Sequence, residues 1–404
     1  MKEGREYSTI GKLCKTYSGG TPLKNVKEYY QDGNIPWLRS GEVCQKYIYE
    51  TEMFITQKGL ESSSAKYYPI NTVVVAMYGA TAAQVGILKL EATSNQAVCG
   101  IIPNSKFLPE FLYYFFCYRK EFLASQAQGG AQPNISQVKI KNLEVPVPSF
   151  SEQQSIVDYL DSAFAKIDAM KANAEKALNE AKTLFQASLK EMLEPKEGWE
   201  ENKLKEICET ITDFVAAGSF ASLRENVVYN NEKDYAQLVR TTDLKSGFSK
   251  GGYVYVNEHA FKYLYRVNLD KECIILPNVG VNCGEVYYVT PSILPYNNNV
   301  LGPNAVLVRS SNYNNHFLSY LFLGKDFQNK LSDITSHMAQ PKFNKTGLKE
   351  IVILVPPLSE QQSIVATLDS LKSKVDRLQA NYDKISQECD ALKQAILRQV
   401  FCEE

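Results

Sequence analysis

The chain has 404 residues, of which 44% are hydrophobic and 22% are charged, and its formal net charge is −1. These values are typical of a folded protein of two or three domains, and a net charge so near zero gives no overall signal for nucleic acid. The three histidines and nine cysteines are scattered without a C-x-x-C pair, so no metal site is predicted, and the longest apolar run, residues 111–118, is too short to span a bilayer.

The first part of the chain, residues 1–150, has the pattern of a mixed α/β unit. It begins with a short element at residues 4–14, followed by the turn signal Ser18-Gly19-Gly20-Thr21-Pro22. The remaining predicted elements are strands at 35–42, 72–77 and 97–102, an apolar helix at 107–122, a loop at 128–134 and a Pro-rich exit at 145–148.

A long helix is predicted to follow, over residues 151–193. It opens with the heptapeptide Ser-Glu-Gln-Gln-Ser-Ile-Val at 151–157, in which the serine is a good N-cap and the glutamate lies in the first turn. At 1.5 Å per residue such a helix is roughly 65 Å long.

The whole pattern then occurs a second time. The opening element returns at 198–208, the heptapeptide returns at 359–365, and a second long helix is predicted over 359–401. The other counterparts are strands at 236–243, 272–276 and 305–309, a helix at 317–331, a loop at 338–342 and an exit at 355–357. The turn at 18–22 has no match at Thr212-Asp213-Phe214-Val215, so this loop differs between the copies.

Both long helices carry apolar residues at alternating spacings of four and three, which is the pattern of a coiled-coil seam. The second helix has bulky residues along the seam, and the first has alanines in its middle, so we expect the two helices to pack on each other. The predicted seam residues are Ile156, Leu160, Ile167 and Leu184 in the first helix and Ile364, Leu368, Leu371, Val375, Leu378, Ile385, Leu392 and Ile396 in the second.

These patterns predict an α+β protein with a pseudo-two-fold internal repeat. The predicted parts are two similar mixed α/β domains, at 1–150 and 196–358, and two spacer helices, at 151–195 and 359–404, which form an antiparallel coiled coil. Parallel pairing is the alternative. We favour the antiparallel arrangement because it would place the two domains at opposite ends of a rod.

The duplicated frame resembles the specificity (S) subunit of type I DNA restriction-modification systems over essentially the whole chain. The resemblance is strongest at Pro148–Asp161 and Pro356–Asp369, and also at Gly19-Gly20-Thr21-Pro22, Ile35-Pro36-Trp37-Leu38 and Gln132-Pro133. Residues Thr212–Gly218 depart from it, since they lack the glycine-threonine-proline loop.

The resemblance implies a non-catalytic subunit that recognises a bipartite site in double-stranded DNA, with one target recognition domain for each half-site. It also implies partners: two modification subunits, which are methyltransferases, and restriction subunits, which are ATP-dependent. S-adenosylmethionine, ATP and Mg are expected on those partners, with no cofactor on this chain. We expect the protein to be cytoplasmic, without a membrane partner.

Arg39 and Arg240 are candidate base readers because they stand at matched strand ends and because arginine can bind guanine O6 and N7 together. The alternative is a structural salt bridge to Glu42 or Asp243. The neighbouring Ser40, Thr241 and Thr242 are included with them, as is Thr21 of the Gly-Gly-Thr-Pro turn.

Further DNA-binding candidates lie on loops and near helix ends, where backbone amides, side-chain amides and lysines could contact bases or phosphates. Plain turns, helix-to-strand connectors and solvated surface lysines are the alternatives. These candidates are Gly79, Thr81, Gln128, Gln132, Lys139, Lys141, Asn278, His337, Gln340, Lys342 and Lys345. The amide pair Asn95-Gln96 could recognise adenine, although such residues are also common in loops.

No G-x-G-x-x-G, Walker or methyltransferase D/N-P-P-Y/F motif occurs in the chain, which argues against an autonomous enzyme. Two other hypotheses stay open. The first is a coiled-coil scaffold whose globular ends bind proteins, and the second is a specificity subunit that works with a methyltransferase alone.

Overall fold

A computed structural model describes residues 6–126, 134–336 and 339–401. The chain divides into two compact units. Unit 1 comprises residues 1–175 with 381–404, and unit 2 comprises residues 176–380. Because both cuts fall inside the long helices, each unit contains one globular part and one segment of each long helix.

The secondary structure alternates short strands with helices along both units. The strands are β1 (Tyr7–Thr9), β2 (Thr16–Ser18), β3 (Ile35–Leu38), β4 (Tyr47–Ile48), β5 (Phe54–Ile55), β6 (Val73–Ala76), β7 (Val85–Leu88), β8 (Thr93–Ser94), β9 (Val98–Ile101), β10 (Glu144–Pro146), β11 (Glu200–Lys203), β12 (Thr210–Asp213), β13 (Ala236–Val239), β14 (Val254–Val256), β15 (Cys273–Pro277), β16 (Tyr287–Val289), β17 (Asn299–Leu301), β18 (Ala305–Arg309) and β19 (Val352–Val355). The helices are α1 (Ile10–Leu13), α2 (Gln57–Glu61), α3 (Pro109–Ser125), α4 (Gln137–Lys141), α5 (Phe150–Met192), α6 (Leu204–Ile207), α7 (Phe220–Asn226), α8 (Thr241–Lys245), α9 (Glu258–Tyr263), α10 (Asn315–Leu323), α11 (Lys325–Asp333), α12 (Lys345–Glu350) and α13 (Leu358–Phe401).

The two units are built on the same set of sheets. In unit 1 the strand orders are β2-β9-β6-β7-β4, β5-β3-β8 and β1-β10, and in unit 2 they are β12-β18-β15-β16, β14-β13-β17 and β11-β19. In each unit the last strand before the long helix pairs antiparallel with the first strand of that unit. The predicted internal repeat is therefore confirmed, and unit 1 differs by the extra strand β4.

Each predicted strand is present, but those predicted over 35–42 and 236–243 end at Leu38 and Val239, and a 3-10 turn and α8 follow them. The two long helices begin and end within one residue of the predicted positions. The helix predicted over 317–331 is wrong as a single element, because α10 ends and α11 begins around Gly324. Gly324 adopts an extended conformation between them, and a Cβ at this position would lie 3.1 Å from Leu193 Cδ1. Glycine has poor helix propensity, so the break costs little at this residue.

The heptapeptide repeat owes its structural role to its first glutamine. Gln153 is fully buried, accepts a hydrogen bond from the Leu108 N–H (2.8 Å) and donates to the carbonyls of Lys106 and Pro148 (both 2.9 Å). Its counterpart Gln361 accepts from the Asn314 N–H (3.0 Å) and donates to the Pro356 carbonyl (2.8 Å). We call these two residues the joint glutamines, because each ties the start of a long helix to the segment that precedes α3 or α10.

A second matched contact lies two turns further along each long helix. Asp161 accepts hydrogen bonds from the Tyr114 hydroxyl of α3 and the Lys46 ammonium. Asp369 accepts from the Tyr320 hydroxyl of α10 (2.6 Å) and lies 3.2 Å from His316 Nε2. Burial and the hydrogen bond to the aspartate raise the pKa of each tyrosine, so each hydroxyl keeps the proton that it donates.

The long helices pair antiparallel inside each unit. In unit 1, Cys389 of α13 contacts the Ile167 carbonyl of α5, while Leu397 packs in the same core as Leu160. In unit 2, Lys182 Nζ donates to Gln379 Oε1 (2.8 Å), and Phe185 shares a core with residues nearer the start of α13, among them Val375 and Leu368.

Of the predicted seam residues, Leu184 and Leu392 are 57% and 47% exposed, whereas the buried ones are Leu160, Ile167, Ile364, Leu368 and Val375. In α5 the next residue, Phe185, is buried instead, because a phenylalanine ring removes more apolar area from water than a leucine side chain. In α13 the residue after Leu392, Lys393, faces α5, with Nζ 5.2 Å from the Phe164 ring centroid. Spacings of four then bring Leu397 and Phe401 into the unit 1 core.

None of the helices within the described residues contains an apolar stretch long enough to cross a membrane.

Replacing a joint glutamine should destabilise its unit. Gln153→Met keeps the volume but leaves one N–H and two carbonyls without their partner, so we expect the free energy of unfolding to fall by about 2–3 kcal/mol. Urea unfolding followed by Trp37 fluorescence in a Trp199→Phe background measures unit 1 specifically. Gln154→Met, at an exposed neighbour, is the control and should change stability by less than about 0.5 kcal/mol. Equal losses in the two variants would contradict the joint role.

A pair of adjacent substitutions tests the observed register of α5. Phe185→Ala should cost about 3–5 kcal/mol because it empties part of the unit 2 core, whereas Leu184→Ala should cost less than about 0.5 kcal/mol. Trp199 fluorescence in a Trp37→Phe background follows unit 2 during urea unfolding. If Leu184→Ala were the more damaging change, the seam predicted from the sequence would be the correct one.

Candidate nucleic-acid interface

Unit 1 contains a cleft of about 620 Å³ that brings together residues from five separate segments of the sequence. We call it the first cleft. It is lined by Thr21, Lys24, Lys27, Tyr30, Gln31, Trp37, Arg39, Met53, Tyr78, Asn95, Gln96 and Ala97.

The Gly-Gly-Thr-Pro turn forms one wall of the first cleft because it packs directly on neighbouring backbone. A Cβ at Gly19 would lie 2.2 Å from the Ser94 carbonyl oxygen, and one at Gly20 would lie 2.2 Å from the Ala65 nitrogen, so both positions require glycine. The Trp37 indole N–H donates to the Gly20 carbonyl (3.0 Å) and fastens the turn to β3. Thr21 is thereby held at the edge of the cleft.

The polar groups of the first cleft suit a polyanion with hydrogen-bonding edges. Three basic residues line it, Lys24, Lys27 and Arg39, and none of its lining residues is acidic. Asn95 Oδ1 accepts from the Ala97 N–H (3.1 Å), the Asn95 NH₂ group makes no hydrogen bond within the described residues, and Gln96 is exposed. Cations can contact phosphates, and side-chain amides can pair with adenine edges.

Arg39 is held by two carboxylates. Its backbone N–H donates to Glu42 Oε2 (2.8 Å), its Nε lies 3.5 Å from the same oxygen, and its Nη2 donates to Glu52. The salt bridge considered as an alternative for Arg39 is therefore present, while the guanidinium, 44% exposed, still lines the cleft. A contact between Arg39 and a base stays a prediction.

Unit 2 has a cleft of about 560 Å³, which we call the second cleft. It is lined by residues 213–215, 220, 223, 224, 227, 229, 278, 279, 303–305 and 342–346. These include the predicted Asn278, Lys342 and Lys345. The exposed Phe220 and Arg224 of α7 and the exposed Asn304 also line it.

Matched backbone hydrogen bonds show that the two clefts occupy overlapping, although not identical, places in the repeat. The Ile135 N–H donates to the Met77 carbonyl (2.8 Å), as the Phe343 N–H does to the Asn278 carbonyl (3.2 Å). Likewise, the Asn95 backbone N–H donates to the Leu38 carbonyl (2.9 Å), and the Gly302 N–H donates to the Val239 carbonyl (2.8 Å). Each cleft thus lies beside the β6–β9 or β15–β18 strand pair, but its side chains differ.

One polar pair illustrates how the side chains have changed on this common backbone. In unit 1 the Ser18 hydroxyl lies 3.2 Å from Gln137 Oε1. In unit 2 the counterparts are Asp213 and Lys345, which form a salt bridge of 2.8 Å. Lys345 therefore already has a carboxylate partner, and its predicted contact with DNA stays a prediction.

Arg240 lies on another part of unit 2, where its guanidinium group already has hydrogen-bond partners. Its Nε and Nη2 donate to the two oxygens of the buried Asp243 (3.0 and 2.7 Å), and Nη2 also donates to the Gly252 carbonyl (2.9 Å). The hydrogen bonds to Asp243 raise the pKa of Arg240. The salt bridge considered as an alternative is present here too, and Thr241 and Thr242 form the first turn of α8 beside it.

The other predicted residues are spread more widely. Gly79 and Thr81 form a 3-10 turn directly after Tyr78, at the rim of the first cleft, and Ser40 begins the turn after Arg39. Lys139 donates to the Gln126 carbonyl and Lys141 ends α4, so neither lines the first cleft. Gln340 is exposed near Gly280. Gln128, Gln132 and His337 lie outside the described residues.

Sequence reasoning missed several residues that line the clefts. Lys24 and Lys27 follow the Gly-Gly-Thr-Pro turn so closely that the turn itself could have pointed to them. In unit 2, Phe220 and Arg224 lie four residues apart on a short helix directly after the loop that departs from the repeat, which identifies an insertion of different character. Asn304 was missed because no sequence motif marks it. Only the pairing of the strands places it beside the second cleft, at the position that Ala97 has in unit 1.

Comparisons with known proteins identify the family of this chain. The sequence profile of the type I restriction modification DNA specificity domain matches residues 2–180 and 196–387, one match for each copy of the repeat. The chain therefore belongs to the type I restriction-modification DNA specificity family.

Individual relatives agree with this assignment. The chain is 32% identical over 167 residues to the EcoR124I/EcoR124II specificity subunit of Escherichia coli, a match that covers 40% of this chain and 41% of that protein. It is 26% identical over 395 residues to the MjaIX specificity subunit of Methanocaldococcus jannaschii, a match that covers 92% of this chain and 87% of that protein.

Two solved structures have a similar fold. One, from work on complex assembly and conformational transition of the type I R-M system, has a TM-score of 0.75 at 18% identity and covers 99% of this chain and 98% of that chain. The other, the crystal structure of the HsdS subunit from Thermoanaerobacter tengcongensis, has a TM-score of 0.57 at 17% identity and covers 100% and 97%.

The first cleft leads to a prediction about salt dependence. Replacing both Lys24 and Lys27 by alanine should weaken DNA binding and lower the slope of log affinity against log salt by about 2, because two phosphate contacts would be lost. Fluorescence anisotropy over a salt series measures both quantities.

The matched control replaces Lys12 and Lys106, two exposed lysines of unit 1 that do not line the first cleft. It removes the same charge and should leave the slope within about 0.5 of the wild-type value. An identical loss in both double variants would show that only net charge matters, and the cleft would then not be a contact surface.

Proposed function

We propose that this chain determines the DNA sequence on which a type I restriction-modification complex acts. Each unit recognises one half of a bipartite site through its cleft, and the paired helices set the spacing between the halves. The chain itself is non-catalytic and acts in the cytoplasm.

The observation that carries the proposal is the pair of clefts on one repeated backbone. A reader of two different half-sites needs a common scaffold with different side chains where bases are contacted. The lining residues fit this requirement, since the first cleft combines lysines and side-chain amides with Tyr30, Trp37 and Tyr78, whereas the second combines Arg224 and Lys342 with other apolar side chains.

The proposal includes the partners. Two modification subunits, carrying S-adenosylmethionine, would methylate adenines in the recognised site, and restriction subunits would use ATP and Mg. The names of the E. coli and M. jannaschii relatives, which are specificity subunits of type I restriction enzymes, support such an assembly.

Helical geometry explains how the helices could set the spacing. One turn of B-DNA covers about 10 base pairs and 34 Å, and a helix advances 1.5 Å per residue. Removing one heptad from each helix would shorten the pair by about 10 Å, which corresponds to about three base pairs.

The corresponding experiment deletes residues 170–176 and 378–384, which are equivalent heptads of α5 and α13. The variant and the wild type are each expressed with the modification subunits, and methylated adenines are mapped at base resolution. We expect both half-sites to be retained and the unspecified spacer to shorten by about three base pairs. A motif with an unchanged spacer would contradict the spacing role.

A domain exchange tests the assignment of one half-site to each unit. Replacing residues 1–150 with the corresponding part of another family member should change one half of the methylated motif and leave the other half as it was. If both halves changed, or neither did, the one-unit, one-half-site proposal would fail.

A further inference from the structure

An exposed phenylalanine in unit 2 is unusual enough to require an explanation. Phe220, the first residue of α7, is 76% exposed, although burying such a ring is normally favourable by about 1.5–3 kcal/mol. Val215, 43% exposed, lines the same cleft. Both residues belong to the segment that replaces the Gly-Gly-Thr-Pro turn of unit 1.

The segment that carries Phe220 is held firmly. Ser219 caps α7 by accepting a hydrogen bond from the Ser222 N–H (3.3 Å), and the Ser222 hydroxyl lies 2.7 Å from the Tyr263 hydroxyl of α9. Asn226 Nδ2 donates to the Ser222 carbonyl (2.8 Å), while Leu223 is buried in the core below. Phe220 is therefore presented outward by a fixed helix.

The surroundings of Phe220 favour nucleic acid over a protein surface. Arg224, one helical turn later, and Lys342, which also lines the cleft, are exposed, and neither side chain forms an ion pair within the described residues. The one acidic residue that lines the cleft, Asp213, is paired with Lys345. The second cleft thus combines an exposed apolar side chain with net positive charge.

Asn304 adds a hydrogen-bonding group. It is exposed, has φ = +66°, and its side-chain amide makes no hydrogen bond within the part of the chain that is described. An unpaired amide can bind the N6 and N7 atoms of adenine together, while an apolar side chain can contact the C5-methyl group of thymine. The two side chains in one cleft match the two halves of an A·T pair.

We propose that the second cleft recognises an A·T base pair in the major groove, with Phe220 against the thymine methyl and Asn304 on adenine. This inference rests on the proposed function and names the base chemistry of one half-site. Phe220 and Asn304 are then specificity-determining residues, and Arg224 and Lys342 neutralise the flanking phosphates.

The test uses the full chain assembled with its modification subunits and duplexes carrying the mapped methylation motif. Each thymine of the half-site that persists when residues 1–150 are exchanged is replaced in turn by uracil, which lacks only the methyl group. At one position we expect the wild-type complex to bind about three- to tenfold more weakly. The Phe220→Ala complex should bind the thymine and uracil duplexes equally.

A second arm tests Asn304 with 7-deazaadenine, which lacks the N7 acceptor. The wild-type complex should lose affinity at one adenine, and the Asn304→Gly complex should be insensitive to the change there. Glycine is chosen because it tolerates the positive φ of this position. The matched control, Tyr265→Ala, removes an aromatic ring that is 62% exposed and does not line the cleft, so it should behave as the wild type.

Each other outcome is decisive. A half-site in which no thymine is sensitive to uracil, or uracil sensitivity that persists in Phe220→Ala, would overturn the inference and leave the proposed function intact. Phe220-dependent unstacking, detected with 2-aminopurine, would mean that the ring intercalates, and loss of assembly in Phe220→Ala would mean that it binds a partner protein. Failure of the wild-type complex to prefer any sequence would overturn the proposed function as well.

Discussion

The buried side chains of Gln153 and Gln361 hold each globular part of this protein to its long helix. Their amides connect the Pro-rich exit and the first turn of the long helix, which are adjacent in sequence, to the distant segment that approaches the core helix. A buried amide must find partners for both its donor and its acceptor. These hydrogen bonds therefore fix the angle at which the long helix leaves the globular part. The aspartates that bind Tyr114 and Tyr320 add a second point of attachment, which resists rotation about the first.

Because the joint constrains the frame, the clefts can differ without loss of the fold. The strand pairing beside each cleft is the same, and several backbone hydrogen bonds there correspond. The side chains at the edges do not correspond. A glycine turn that needs close backbone contact in unit 1 is replaced in unit 2 by α7 and its exposed phenylalanine.

Periodicity predicted the long helices well but did not resolve which of two adjacent apolar residues faces the partner. Leu184 and Phe185 both fit a spacing of three and four, and packing against Tyr320 selects the phenylalanine. At the end of α13 the buried positions change to spacings of four, because Leu397 and Phe401 pack against the globular core of unit 1 instead of continuing the seam. A straight helix has 3.6 residues per turn, so small changes in its surroundings shift the buried face by one residue.

The amino-acid sequence by itself determined the duplication, the order of strands and helices, the long helices and the family, because these depend on local periodicity and on motifs that recur at constant offsets. Only the tertiary structure decided which side chains share a cleft. Thr21, Arg39, Tyr78 and Gln96 come from separate segments and meet because of strand pairing, and Asn304 faces the second cleft for the same reason. The tertiary structure also decided that the Arg240 guanidinium pairs with Asp243. Such contacts depend on long-range packing and on competition among neighbouring charges, which no local pattern in the sequence records.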